Sequence, residues 1–172
     1  MPTLDREIFV WIVTHRVGAL DSVMLALSIL GQGGRIWLAL GAGFALFRRI
    51  DPWTFVRLAL AVALATLLTD YVLKPAFGRV RPFDAVSDMR VIGGRPNDSS
   101  FPSGHTANAF AGAFVLSRAL PAAAIAWWAL ACGIAFSRVY LGVHYPADVI
   151  GGAIVGLVCA ALVSASVRKP DN

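Results

Sequence analysis

Apolar residues run along this chain in long unbroken blocks instead of alternating with polar ones. Two blocks hold no charged residue, Ala119 to Ser137 and Val149 to Val167. A helix needs about 20 apolar residues to cross a bilayer, so both blocks are predicted spans. A third, Pro102 to Leu116, is interrupted only by His105. A fourth, Trp53 to Leu73, has Arg57 near one end, where a long side chain can reach the interface, and Asp70 near the other. Ser22 to Gly34 and Ile36 to Phe47 are each short and meet around Gly31-Gln32-Gly33-Gly34-Arg35, which predicts a tight helical hairpin. Residues 3 to 16 are expected to form a short helix opened by Thr3 as N-cap, with Asp5 and Glu7 in the first turn, where the helix dipole favours carboxylates. Trp11 suits a membrane interface. The pattern predicts an all-α integral-membrane protein, a six-helix bundle with a short N-terminal interfacial helix.

Composition agrees with this pattern. The chain has 172 residues, 58% of them hydrophobic and 15% charged, and its mean hydropathy of +0.69 excludes an ordinary soluble domain. About six spans exhaust that length, so one membrane domain is expected over residues 1–172. No internal repeat or low-complexity segment stands out. The one long polar stretch, Lys74 to Ser100, is rich in Pro, Gly, Asp and Arg, and loops of that length are uncommon unless functional or disordered. Cys132 and Cys159 fall in apolar runs and read as buried thiols. Met1 to Arg16 lacks the basic start and small-residue site of a cleaved signal peptide.

The net charge is +5, but the basic residues sit at the ends of apolar runs or inside the polar stretch, so nucleic acid is not an expected partner. Membrane lipids are. If six spans alternate, Arg6, Arg16, Arg48-Arg49, Arg118 and Arg168-Lys169 all fall on one side, which the positive-inside rule makes cytoplasmic. Arg35, Lys74 to Ser100 and Arg138 to Tyr145 then face the opposite side. The small size suggests a bacterial plasma membrane, with this second face toward the periplasm or cell exterior.

Three segments on that face carry candidate chemistry: Lys74 to Pro82, Pro102 to His105, and Ser137-Arg138 with His144 and Asp148. Lys74 and Arg81 each precede a proline, which disfavours helix, so the third apolar helix is expected to end at about Leu73 with both cations in the loop. Pro102 suits the first turn of the next helix, leaving the N–H groups of Ser103, Gly104 and His105 free for an anion. Pro146 likewise suits the first position of the last helix, which lets Asp148 reach His144 and fix its tautomer. Three cations and a helix start suit the oxygens of a phosphoryl group. Of the two histidines, one would attack phosphorus and the other protonate the departing oxygen.

The three segments resemble the signature motifs of the type-2 phosphatidic acid phosphatase superfamily, the lipid phosphate phosphatases. The motifs are Lys-x6-Arg-Pro from Lys74 to Pro82, Pro-Ser-Gly-His from Pro102 to His105, and Ser-Arg-x5-His-x3-Asp from Ser137 to Asp148. They cover residues 74–148, and the apolar frame extends the likeness across nearly the whole chain. The resemblance implies a six-helix membrane fold with His144 as nucleophile, forming a phosphohistidine, Asp148 orienting it, and His105 as general acid. It also implies phosphate binding by Lys74, Arg81 and Arg138, helped by Ser103 and the backbone at Gly104.

His105, His144 and Asp148 are possible metal ligands, but three nearby cations would repel a divalent ion, so no metal and no cofactor is expected. Asp70 is expected to pair with Lys74 one helical turn away. Arg79, Arg90 and Arg95 are either solvated or in contact with substrate, and His15 reads as interfacial. A transporter or scaffold is the non-enzyme alternative, marked by polar residues at mid-membrane, whereas polarity here gathers at one end. The expected substrate is a lipid phosphate or diphosphate. Undecaprenyl diphosphate leads, with Arg90 or Arg95 on its second phosphate. Phosphatidylglycerol phosphate is the runner-up, and phosphatidic acid and the lipid A 1-phosphate are further choices. The motifs leave oligomeric state open.

Overall fold

The computed structural model describes residues 3–86 and 89–167, and among them every regular element is helical. A helix bonds its own backbone groups, as lipid requires of any spanning segment. Among the described residues, four helical segments are long and apolar enough to cross a membrane: Gly18–Leu46, Pro52–Ala85, Pro121–Tyr140 and Pro146–Ser166.

The first of these corrects the expected hairpin. Helix α2 (Gly18–Gly31) and helix α3 (Arg35–Leu46) are joined by one tight turn in which Gly33 and Gly34 take left-handed φ of 61° and 69°. The chain kinks there but does not reverse. Asp21 meets Tyr140, Ser28 meets Arg138, Gly31 lies against Ile134, and Phe44 packs on Trp127. The two helices therefore run antiparallel to α8 (Ala124–Tyr140) from one end of the bundle to the other. A reversal at that depth would expose loop backbone to hydrocarbon, whereas a kink keeps most of it bonded.

Helix α4 (Pro52–Leu67) starts at Asp51, whose carboxylate accepts the Thr54 N–H at 3.2 Å. It runs through a π-helical turn, Leu68–Leu73, into α5 (Lys74–Phe77), so the helix does not end at Leu73. Lys74 is helical, with φ −58° and ψ −48°, in spite of Pro75. In a regular helix the Pro75 ring would strike the carbonyl of Tyr71. Tyr71 lies in the wider π turn, which makes room for the ring. Gly78 then closes the helix at φ 55°. Arg81 is extended before Pro82, as the pre-proline restriction predicts, and Pro82 opens the short α6 (Pro82–Ala85).

Helix α7 (Gly104–Ala119) is the central element, packed on α4, α8 and α9 (Pro146–Ser166). It begins after Pro102, which stands just before the N-cap Ser103 and not in the first turn. Gly152 and Gly156 on α9 lie so close to the Ser103 and Ala107 carbonyls that a side chain at either would collide with them. This small-residue contact brings two backbones together and sets the starts of α7 and α9 side by side.

Helix α1 (Leu4–Thr14) lies against the end of the bundle where α7 and α9 begin. Its buried Phe9 meets Tyr145 edge-on, with ring centroids 5.2 Å apart. Arg16 donates to the Arg90 carbonyl at 2.6 Å and approaches Gly142. Arg16 therefore sits at the motif-bearing end and not beside Arg48-Arg49, because α1 packs across that end instead of crossing the bundle. Thr3 occupies the N-cap position without a side-chain cap bond. Cys159 is buried but Cys132 is exposed, which corrects the expectation for it. Arg168-Lys169 lies outside the described residues.

Candidate active site

The site is assembled at the start of α9. Pro146 takes the first helical position there, as its fixed φ favours. Asp148 turns back on its own N-cap, its Oδ2 accepting the Tyr145 N–H at 2.8 Å and the Ser100 hydroxyl at 2.5 Å. The Ser103 N–H donates to the Asp148 carbonyl at 3.0 Å, so it is not free for an anion as expected. That bond is possible because Gly152 lets α7 and α9 meet. His144 precedes this turn and is 2% exposed. Its Nδ1 stands 3.5 Å from Asp148 Oδ2, and its Nε2 is 3.4 Å from Arg81 Nη1. Burial, aided by the Arg138 and Arg81 cations and opposed by Asp148, lowers the His144 pKa to about 4. The imidazole is therefore neutral near pH 7, with one nitrogen facing a carboxylate and the other facing cations.

The cations come from three other elements. Lys74 Nζ is 2.6 Å from Asp70 Oδ1, the expected one-turn ion pair, and 2.5 Å from Asp98 Oδ2. Arg81 donates to Asp98 Oδ1 at 2.7 Å, to the Asp98 carbonyl at 2.8 Å and to the Val143 carbonyl at 2.7 Å. Arg138, on the last turn of α8, is buried and donates to the Ser28 hydroxyl on α2. Gly104 borders the lysine pair, since a Cβ there would stand 3.2 Å from Asp70 Oδ1 and 3.7 Å from Lys74 Nζ. Ser103 is fully buried, and its hydroxyl accepts from Thr106 at 3.1 Å.

His105, half-buried two residues further on, lines a cavity of about 370 Å³ with Arg138, Arg95, Gln32 and Ser28. It lies within electrostatic reach of Arg138, His144, Lys74 and Arg81. All eight residues singled out in the three motifs thus gather at one end of the bundle.

Asp98 escaped the sequence reading. Partial burial alone would raise its pKa, but Lys74 and Arg81 outweigh that and hold it at about 2. Its carboxylate occupies donors of Lys74 and Arg81, two of the cations expected to bind a phosphate. Its only signal in sequence is a place in the polar stretch shortly before the Pro-Ser-Gly-His segment.

The remaining loop cations separate in the structure. Arg79 bridges Asp148 and Asp5, at 2.5 Å from each, and lies over the Tyr145 ring. Arg90 is exposed and only loosely paired, 3.5 Å from Asp21. Arg95 stacks on Phe83 and lines both the His105 cavity and a neighbouring one of about 570 Å³ that includes Arg79, Arg81 and Asp98. His15 stacks on Trp11 and is exposed. Among the described residues, no group of three or more His, Cys, Asp or Glu side chains stands close enough to hold a metal ion. The site's chemistry is a neutral imidazole beside fixed cations, which suits attack on an anionic phosphorus centre.

Comparison with known proteins points the same way. The family model described as "PAP2 superfamily" matches residues 54–171. An undecaprenyl-diphosphatase of Sulfolobus acidocaldarius is 32% identical over 155 residues, covering 87% of this chain and 72% of that protein. The crystal structure of Aquifex aeolicus LpxE superposes with a TM-score of 0.83 at 30% identity, over 95% of this chain and 96% of the other. A transmembrane PAP2-type phosphatidylglycerolphosphate phosphatase from Bacillus subtilis gives 0.75 at 31% identity, over 94% and 83%.

Proposed function

The chain belongs to the PAP2 superfamily and is a metal-independent membrane lipid phosphatase, and from that premise we propose that it works through a phosphohistidine at His144. The carrying observation is that buried, neutral imidazole with Nδ1 toward Asp148 and Nε2 toward Arg81. Nε2 attacks the terminal phosphorus and its bond to the leaving oxygen breaks, the lipid oxygen of a monoester or the bridging oxygen of a diphosphate, with His105 donating a proton to that oxygen. Water then attacks the phosphohistidine, His105 takes a proton from it, and inorganic phosphate leaves. Lys74, Arg81 and Arg138 hold the non-bridging oxygens as charge develops on them, with Ser103 and the Gly104 backbone beside them. Asp98 yields its place on Lys74 and Arg81 to the substrate phosphate.

The substrate is a lipid phosphate or diphosphate, and undecaprenyl diphosphate leads. One relative is named for that activity, and Arg95, lining both cavities, is suitably placed for a second phosphate. Arg90, drawn toward Asp21, is not. Phosphatidylglycerol phosphate is the second reading, since a well-superposing neighbour carries that name. The single domain over 1–172 sits in a bacterial plasma membrane, with α1 along the interface and the active site outside. Arg48, Arg49 and Arg118 at the other end support that orientation.

Turnover of four lipids by the purified protein in one detergent, with and without excess chelator, tests this. The four are undecaprenyl diphosphate, phosphatidylglycerol phosphate, phosphatidic acid and lipid A. Activity should persist in chelator and kcat/KM should be highest for undecaprenyl diphosphate. Complete loss restored by one divalent ion overturns the mechanism. A tenfold lead for phosphatidylglycerol phosphate, about 1.4 kcal/mol, removes only the carrier-lipid assignment. Orientation is read in a background lacking Cys132 and Cys159, by labelling Ser99→Cys or Ser166→Cys in intact cells with an impermeant reagent. Position 99 should react, and labelling at 166 alone inverts the assignment.

A further inference from the structure

Asp148 is completely buried, and partners hold both of its oxygens. Oδ2 is taken by Ser100 and the Tyr145 N–H, and Oδ1 by Arg79 at 2.5 Å. Arg79 comes from the polar stretch, and its other terminal nitrogen is 2.5 Å from Asp5 Oδ2 on α1. The second oxygen of Asp5 accepts the Ala147 N–H at 2.8 Å, in the first turn of α9. The guanidinium plane is backed by the Tyr145 ring, 4.4 Å to the centroid, and Phe9 packs on the same ring. One arginine thus ties the N-terminal helix, the loop and the start of α9 together around a buried carboxylate. A buried carboxylate stripped of such a partner is costly and free to turn.

We propose that Asp5 and Arg79 form a clasp that positions Asp148, and through it His144, so that the N-terminal helix tunes the phosphatase reaction without touching substrate. This rests on His144 being the nucleophile. Arg79 is a positioning residue, committed to two carboxylates and a ring, and is not a phosphate ligand. It also draws part of the Asp148 charge away from His144. Apart from Asp148, the charged or titratable groups facing His144 are Arg81, Arg138 on α8 and His105 on α7. Removing Arg79 leaves these in place and strengthens the Asp148 field, so His144 should protonate at higher pH.

The test uses the wild-type protein, Asp5→Asn, Arg79→Gln, Arg79→Lys and the Asp5→Asn/Arg79→Gln pair, acting on dioctanoyl phosphatidic acid in detergent micelles. Arg79→Gln should lower kcat roughly 10–100-fold, the range typical of groups that orient a reacting one, with KM within about twofold. The acid limb of its kcat profile should move to higher pH, and Arg79→Lys should recover part of the loss. Asp5→Asn should lose less, and the pair should lose no more than Arg79→Gln alone. A raised KM with kcat unchanged makes Arg79 a substrate ligand and overturns the proposal, as do multiplicative losses in the pair. If the wild type does not turn over phosphatidic acid or any other lipid phosphate, the phosphatase mechanism fails. Thermal unfolding then still reads the clasp, because coupled Tm shifts for Asp5 and Arg79 support it and additive shifts refute it.

Discussion

The two ends of the helical bundle hold the same kinds of basic residue in opposite circumstances. At one end Lys74, Arg81 and Arg138 are 8%, 3% and 7% exposed, and each is bonded to a carboxylate, carbonyl or hydroxyl from another turn or element. At the other, Arg48, Arg49 and Arg118 are exposed. Among the described residues, Arg118 lies over the Phe114 ring and beside a cavity of about 270 Å³. Solvated cations at a span's end cost little and suit an interface. Burying a cation costs several kcal/mol unless partners offset it. The motif end carries that cost three times over, held in check by Asp70, Asp98 and backbone carbonyls at Lys74 and Arg81 and by the Ser28 hydroxyl at Arg138. Such a cluster is preorganised for an anion, and the exposed set is not.

The comparison breaks most severely at the proposed nucleophile. His144→Ala leaves the buried cations in place but removes the imidazole that faces Asp148 through Nδ1 and Arg81 through Nε2, so turnover should fall at least ~10³-fold, to background, as expected when a covalent step is lost. His105→Ala should cost about 10²–10⁴-fold, because an acid–base group is removed while attack remains possible. Its first step, release of p-nitrophenol in a single turnover, should recover on p-nitrophenyl phosphate, whose leaving group needs no proton. Single-turnover assays on both variants decide the assignment. Near-normal turnover by His144→Ala refutes it, and equal losses on both substrates remove the general-acid role of His105.

Much of this site was legible in sequence because its residues are set by local rules. Pro146 announces a helix start, which places Asp148 in the first turn and within reach of His144. Lys74 and Asp70, one turn apart, had to meet once the helix continued. Contacts carried over long separations were not legible. Asp98 reaches Lys74 and Arg81 only because its loop folds back, and Arg79 finds Asp5 from the far side of the chain. The two short apolar runs before Arg48 were misread for a related reason. Their glycine-rich junction signals a break in the helix, and only packing against α8 decides whether the chain bends or turns back. At Lys74 the pre-proline rule met a π turn, which nothing in the local residue pattern distinguishes from a helix end.

The gentlest way to sharpen the contrast between the two ends is to neutralise one cation at each. Arg81→Gln keeps a donor for the Val143 carbonyl but removes the charge beside His144 Nε2 and frees Asp98 to pair with Lys74 alone. Loss of one such preorganised group typically costs ~10²–10³-fold in kcat. Arg81→Lys should recover little of it, since an ammonium lacks the planar fork that reaches Asp98 and Val143 together. Arg118→Gln removes a charge of the same sign and similar size from the opposite end, where exposure leaves it screened by solvent. Its kcat and KM should both stay within about twofold, and its Tm should barely change. Measured side by side on the same lipid phosphate, the pair separates two explanations for the basic character of the chain. If Arg118→Gln slows turnover as much as Arg81→Gln, general attraction of anionic lipid to a positive protein matters more than the buried cluster. If only Arg81→Gln is slowed, the placement of charge at the motif end is what the reaction uses.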